Sequence, residues 1–328
     1  MLNEITEGMP WLEYCDLGSD LSPEARPVNQ SALKKIDVNP RAMLSYLQGS
    51  LRVDSPALQF GRDCHTALLE PDKFDRHYRV AGQCEATKKD GDQCSKTGRF
   101  HDGSRWLCGT HGDGYPEPEN VMKHETYQQI QMIREKFEIH PAAHHLVGGK
   151  KEVVIQAEIR GVSCKGRIDM LSEDLTVITD LKTCGPLTTT ADEMEKAVER
   201  YGYHQQLGFY QLLVEAVTGE LPECRIVFVE KKTPYGINAR RINSRLLAIG
   251  RADCVRWLQR FRKCRESGQW PDCYPESVDF DGGGLKSITG REWLHEAYSD
   301  SELEQVGWDG EDRPDMVVWN DMEENNEQ

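Results

Sequence analysis

No stretch of this 328-residue chain approaches the roughly 18 consecutive apolar residues that span a bilayer. With a mean hydropathy of -0.65 and 29% charged residues it reads as a soluble protein. The opening, MLNEITEGMPWLEYCDLG, is acidic and lacks the basic-then-apolar layout of a secretory leader, so the cytoplasm is the expected compartment. Paired cysteines are lacking too. The chain has eleven, an odd number, and most sit singly in periodic segments (Cys64, Cys164, Cys224, Cys254). That argues against a secreted disulfide framework and leaves one cluster to explain as metal binding. No internal repeat is visible.

A basic surplus is also missing, the formal net charge being -15. That looks wrong for a partner of nucleic acid, but the deficit is unevenly placed. Residues 299–328 carry eleven acidic side chains and one basic one, Arg313, which accounts for -10 of the total. Basic stretches survive elsewhere, at Lys231-Lys232, Arg240-Arg241 and between Arg256 and Arg265. Overall acidity is therefore compatible with a local basic channel.

Composition divides the chain into four regions. Residues 1–28 carry scattered Pro and Gly and read as loosely ordered, while residues 29–298 hold the periodic segments of one domain. Residues 82–114, rich in Gly, Cys, Lys and Asp, interrupt it as an insert, and residues 299–328 form the acidic tail. A helix begins at Asn29-Gln30-Ser31 with Ser31 as its N-cap, and Ser55-Pro56 opens a second that Pro71 stops. A long helix is expected over 119–140, strands over 152–159, 163–171 and 176–182, a helix over 191–217, a strand over 224–230 and a last helix over 244–267. This order predicts an α/β domain with a mixed central sheet flanked by helices.

The densest chemistry lies in residues 165–183, KGRIDMLSEDLTVITDLKT. Strand alternation puts Asp180 and Lys182 on one face and Leu181 in a core. A turn at Ser172-Glu173-Asp174 brings Asp169 to the same spot. Two carboxylates and a lysine are the minimum for holding a divalent metal against a phosphodiester and steadying the attacking water. An exposed hairpin with a surface ion pair is the other reading, and the segment alone leaves both open. His65 lies on the second helix, four residues after Gly61. A lone helical histidine usually caps or packs, but glycine costs a helix ~1 kcal/mol relative to alanine, which suggests close approach of another backbone there. Gln206 and Tyr210, at i and i+4, share one helix face, as a polar edge or as a face laid beside the hairpin.

In order and interval, Gly61-x-x-x-His65, Asp169, Asp180-x-Lys182 and Gln206-x-x-x-Tyr210 resemble the PD-(D/E)XK nucleases of the RecB-like branch, and within it the RecE-type exonucleases (exodeoxyribonuclease VIII). NQSALKKIDVNP, ALQFGRDCHTALLEPDKF, FVEKKTPYGINARR and GQWPDCYPE agree, so the resemblance covers residues 29–276 around the insert. It implies a restriction-endonuclease-like fold, with Asp169 and Asp180 as ligands of Mg²⁺ or Mn²⁺, His65 as a further ligand and the Leu181 carbonyl completing the shell. Lys182 matches the lysine that orients water and offsets charge, and Gln206 and Tyr210 match the helix beside the site. Glu152 falls where the branch often carries an extra acidic residue. Ile168 departs from the proline that gives the family its name. The implied activity is digestion of the 5′-ended strand of linear double-stranded DNA, leaving 3′ single strands for recombination in a bacterial or phage-infected cell. Implied partners are DNA ends, a single-strand annealing protein and further copies of the chain. The alternatives are a PD-(D/E)XK endonuclease of defence or repair and a catalytically inactive, zinc-bearing DNA-binding protein.

Within the insert, Cys84-x9-Cys94-x13-Cys108-x2-His111 offers three thiolates and an imidazole, a set that favours tetrahedral Zn²⁺. Gly91 and Gly109 sit where tight turns beside ligands are needed, and His101 is the spare ligand. An iron–sulfur cluster is disfavoured because the C-terminal cysteines lack close spacing. Lys88, Lys89, Lys96, Arg99 and Arg105 suggest DNA contact, and a stability clip is the other reading. The acidic tail is a solvated end, a docking peptide or a competitor for the DNA channel.

Overall fold

Runs of Val, Ile and Leu build a six-stranded sheet in the computed structural model, which describes residues 4–50, 55–115, 120–186 and 188–272. Its strands are β1 (Glu4–Thr6), β2 (Lys150–Ile159), β3 (Val162–Leu171), β4 (Val177–Cys184), β5 (Glu223–Glu230) and β6 (Ile237–Arg241), and they lie across the sheet in that order. All neighbours are antiparallel except β4 and β5, which run parallel. A parallel pair needs a crossover connection.

The described helices are α1 (Trp11–Asp16), α2 (Gln30–Val38), α3 (Pro40–Leu47), α4 (Pro56–Leu69), α5 (Pro71–His77), α6 (His124–Glu138), α7 (Ala191–Tyr201), α8 (Tyr203–Thr218) and α9 (Ser244–Ser267). Helices α7 and α8 supply the crossover. On one face of the sheet, α8 lies against β2 and β3 and packs on α9, which in turn holds α2. On the other, α4, α5 and α6 enclose a core of Cys64, Phe74, Ile130, Ile133, Met170, Leu181 and Val227. Leu181 therefore points to that core, and its neighbours Asp180 and Lys182 point to α8, as strand alternation requires. This is the expected mixed sheet flanked by helices.

Several expectations are corrected. Residues 4–28 are not loose: β1 pairs with β2, Ile5 opposite Ile155, and the Val28 N–H donates to Ser163 O at 2.9 Å. Buried Lys165 donates to the carbonyls of Tyr14 and Leu17 at 2.8 and 3.1 Å, a cation on the C-terminal end of α1. The first long helix is capped by Asn29, whose side chain accepts from Ala32 N at 2.9 Å, not by Ser31. Pro71 stops α4 as expected but opens α5. The helix expected over 191–217 is two, because Gly202 turns left-handed at φ +69°. Strand β6 was not expected. The acidic tail lies outside the described residues. No helix among the described residues is long and apolar enough to cross a membrane.

Candidate active site and a second metal-binding cluster

In the ladder, β3 and β4 pair at Met170↔Thr179 and Leu171↔Ile178 before they part. The next pair in that register is Asp169 and Asp180. With the ladder open there, Asp169 Oδ2 accepts the Leu181 N–H at 2.7 Å, so a side chain replaces a missing backbone acceptor. On the other side of β3, Lys151↔Met170 and Val153↔Ile168 frame Glu152 directly opposite Asp169. Glu152 holds a left-handed backbone at φ +51°, a conformation that costs a non-glycine residue on the order of 1–3 kcal/mol. Such strain persists where surrounding contacts fix it, and here Arg167 Nε stands 2.5 Å from Glu152 Oε2.

Helix α4 delivers His65, whose Nδ1 lies 3.6 Å from Asp169 Oδ1. Gly61 packs close to β4: a Cβ there would sit 3.3 Å from Thr183 Oγ1. The expected close approach of another backbone is not what Gly61 meets: its near neighbour is a side chain of β4. Ligand atoms of His65, Glu152 and Asp169 all lie within 4.8 Å of one another. On the α8 side, Lys182 Nζ stands 2.7 Å from Asp180 Oδ2, and the Gln206 amide donates to Tyr210 Oη at 2.9 Å and reaches Asp180 Oδ1 at 3.5 Å. Helix α8 comes this near because β3 carries Gly166, where a Cβ would collide with Leu213 at 2.4 Å.

Electrostatics separate the groups. Burial pulls Lys182 down, but Asp180 and Asp169 more than offset it, so its pKa is raised and it is a cation. Burial lifts Asp180 to about 6 against the pull of Lys182. Burial likewise raises Glu152, with Asp169 adding to the effect and Arg167 opposing it. For Asp169 burial acts upward, yet His65, Lys182 and the Leu181 N–H together hold it low. For His65 burial acts downward, and Asp169 nevertheless raises it. Two facing carboxylates supply hard oxygen donors and the imidazole a borderline nitrogen, a set able to take a divalent cation. Asp180 adjoins them with its Oδ2 engaged by Lys182 at 2.7 Å.

The structure thus brings together His65, Glu152 and Asp169, with Asp180, Lys182, Gln206 and Tyr210 adjoining. It does not place Asp180 within the three-residue ligand cluster, and Leu181 meets Asp169 through its N–H. Two neighbours escaped the sequence reading. Arg167 shares a strand face with Asp169 two residues on, a spacing that could have revealed it. Tyr203, three residues before Gln206, lies with its ring centroid 5.0 Å from Lys182 Nζ.

A second cluster occupies the insert. Cys84, Cys94, Cys108 and His111 also converge within 4.8 Å of one another. Cys94 and Cys108 Sγ are 3.9 Å apart, and His111 Nδ1 lies 3.4 Å from Cys84 Sγ and 3.5 Å from Cys108 Sγ. His101 is not among them; its Nδ1 accepts from Gly103 N at 3.2 Å. Both expected turns are present: the Gly91 N–H donates to Lys88 O at 3.0 Å with a left-handed backbone at φ +92°, and Gly109 lies in the turn closed by the His111 N–H donating to Cys108 O at 3.0 Å.

A mixed sheet opened at facing acidic residues, with a lysine two positions on, defines the restriction-endonuclease-like α/β class. Residues 29–280 match the PDDEXK-like domain of unknown function (DUF3799), and the chain belongs to that family. Among solved structures it is similar to a candidate exonuclease from Eubacterium rectale, at 17% identity and a TM-score of 0.54, covering 89% of this chain and 100% of that one. It is also similar to a phage-related exonuclease from Haemophilus somnus, at 15% identity and a TM-score of 0.33, covering 74% of this chain and 96% of that one. No curated protein matches the chain.

Proposed function

We propose that this protein is a Mg²⁺- or Mn²⁺-dependent DNA exonuclease of the RecE type, digesting the 5′-ended strand of linear duplex DNA. The observation that carries the reading is the convergence of His65, Glu152 and Asp169 within 4.8 Å, beside the Asp180–Lys182 pair. His65, Glu152 and Asp169 would hold the ion, with Asp180 alongside. A bound divalent ion supplies Lewis acidity that acidifies water and offsets charge on the phosphate. Lys182, kept cationic by its two aspartates, orients water and stabilises the charge that builds on the phosphate oxygens. Gln206 steadies Asp180 through its amide, and Arg167 holds the Glu152 carboxylate in place. In this reading the 3′ single strands left behind pass to a single-strand annealing protein, and copies of the chain assemble around DNA.

End-labelled linear duplex and closed circular DNA, each with Mg²⁺ or Mn²⁺, test this with wild type beside Lys182→Ala. Progressive loss of the linear substrate, absent in the variant, is expected. Cleavage of the circle would turn the reading to an endonuclease. No metal-dependent cleavage of either DNA would overturn it.

A further inference from the structure

The Cys₃His cluster has no part in that chemistry, and it stands whether or not the nuclease reading does. We propose that Cys84, Cys94, Cys108 and His111 bind one Zn²⁺ ion, and that this ion is the core on which the insert folds. Ligand separations carry the first half. With Zn–S near 2.3 Å and Zn–N near 2.0–2.1 Å, a tetrahedron has edges of about 3.8 Å between sulfurs and about 3.6 Å between sulfur and nitrogen. The separations of 3.9, 3.4 and 3.5 Å match those edges. A polynuclear cluster would spread its ligand atoms over several metals and set them further apart. Thiolate ligands with one imidazole also select zinc over the hard cations suited to the carboxylate site.

The second half rests on what else is buried in the insert. Its apolar cluster comprises Cys84, Cys94, Leu107 and Cys108, with Ala86 and Phe100 packed against it. Three of the four buried members are ligands. Segments below about 40 residues seldom bury enough to fold without a metal or a disulfide, so binding and folding here are one event. Backbone bonds prepare the ligands: Cys84 N donates to Lys96 O at 2.8 Å, Cys94 N to Ala86 O at 2.9 Å, and His111 N to Cys108 O at 3.0 Å. The root is closed by the parallel pairs Arg79↔Val121 and Val80↔Met122.

Charge speaks against a DNA-reading role. Residues 82–114 hold five basic side chains (Lys88, Lys89, Lys96, Arg99, Arg105) and five acidic ones (Glu85, Asp90, Asp92, Asp102, Asp113), a net of zero. Of the bases, Arg105 is paired with Asp102 at 3.0 Å. Acids match the bases in number along the insert, so its sequence shows no run of unopposed basic charge of the kind that marks a phosphate-binding patch. It is a metal clip.

The test uses the full chain purified without chelator. Elemental mass spectrometry should find one zinc per chain, and Co²⁺ exchange should give the intense visible bands of tetrahedral thiolate coordination. Both should vanish in Cys94→Ser/Cys108→Ser and persist in Asp169→Ala. Trypsin should then cut the double variant between residues 88 and 105 while the rest of the chain resists. Lys88→Glu/Lys89→Glu should leave DNA affinity and its salt dependence unchanged. Wild type without zinc, iron with acid-labile sulfide in its place, or a double variant that keeps zinc and protease resistance would each overturn the proposal. A tenfold loss of DNA affinity in the lysine variant would overturn the clip role.

Discussion

The two ligand clusters are built in opposite ways. His65, Glu152 and Asp169 come from α4, β2 and β3, more than a hundred residues from first to last, and converge because a large apolar core fixes those elements. The cysteine cluster draws its ligands from Cys84 to His111 and has almost no core besides them. In the first the fold makes the site; in the second the metal makes the fold. Removing an ion should therefore leave one region intact and undo the other.

The largest effect is expected from Asp169→Ala. The variant loses the acceptor for Leu181 N–H and the partner of His65 together. Cleavage should fall by about 10³-fold or more, equivalent to roughly 4 kcal/mol of transition-state stabilisation. Zinc content should stay at one per chain, measured on the same sample. Loss of zinc with activity would show that the two regions are not independent.

A smaller effect is expected from Arg167→Ala. The guanidinium holds Glu152 at 2.5 Å and lies with its carbon 5.5 Å from the Trp11 ring centroid, so it ties the N-terminal segment to the candidate site. Removing a partner that orients a ligand typically costs about 10–100-fold in metal affinity. Calorimetric titration with Mn²⁺ should show that loss while zinc remains bound. An unchanged Mn²⁺ affinity would mean that Glu152 needs no such support, and Arg167→Lys separates charge from the fork geometry.

This contrast also explains what could be read in the sequence. The cysteine set declared itself through local spacing, since chelation within an insert requires ligands a few turns apart. Alternation placed Asp180 and Lys182 on one face and Leu181 in the core, because a strand's period is local as well. Glu152 was harder: what makes it a partner of Asp169 is a register across β2 and β3 together with a left-handed backbone, and neither leaves a signature in composition. The N-terminal segment was misread for a related reason. Its order comes from Lys165 and from β2, both more than a hundred residues away, while Gly8, Pro10, Gly18, Pro23 and Pro27 break its own apolar residues into pieces too short to show periodicity. Gly202 split the crossover helix because a glycine's handedness is chosen by its surroundings.

The finest difference between the regions is their response to protons. In buffer free of Mg²⁺ and Mn²⁺, burial holds Asp180 at about 6, above the 3.8 of an ordinary carboxyl. Glu152 is raised by burial, and His65 is raised by Asp169 despite burial. A raised pKa means that the native state keeps a proton the unfolded chain has already lost. Stability then falls as pH rises, from about pH 4 through 6 for Asp180 and above the ordinary imidazole range for His65, by at most about 1.4 kcal/mol per pH unit for each whole proton. Asp169 works the other way: its pKa is depressed, so its contribution disappears only as pH drops below the ordinary carboxyl range. The melting temperature of the zinc-loaded protein should therefore decline between pH 5 and pH 8, and Asp180→Asn should flatten the lower part of that decline. Added Mn²⁺ should reverse the trend, because an ion that binds deprotonated ligands stabilises more as protons leave. A melting temperature that climbs with pH in the absence of Mn²⁺ would mean that the carboxylates are already ionised and paired without a divalent ion, and the cleft would then be a salt-bridge network rather than a site awaiting a metal.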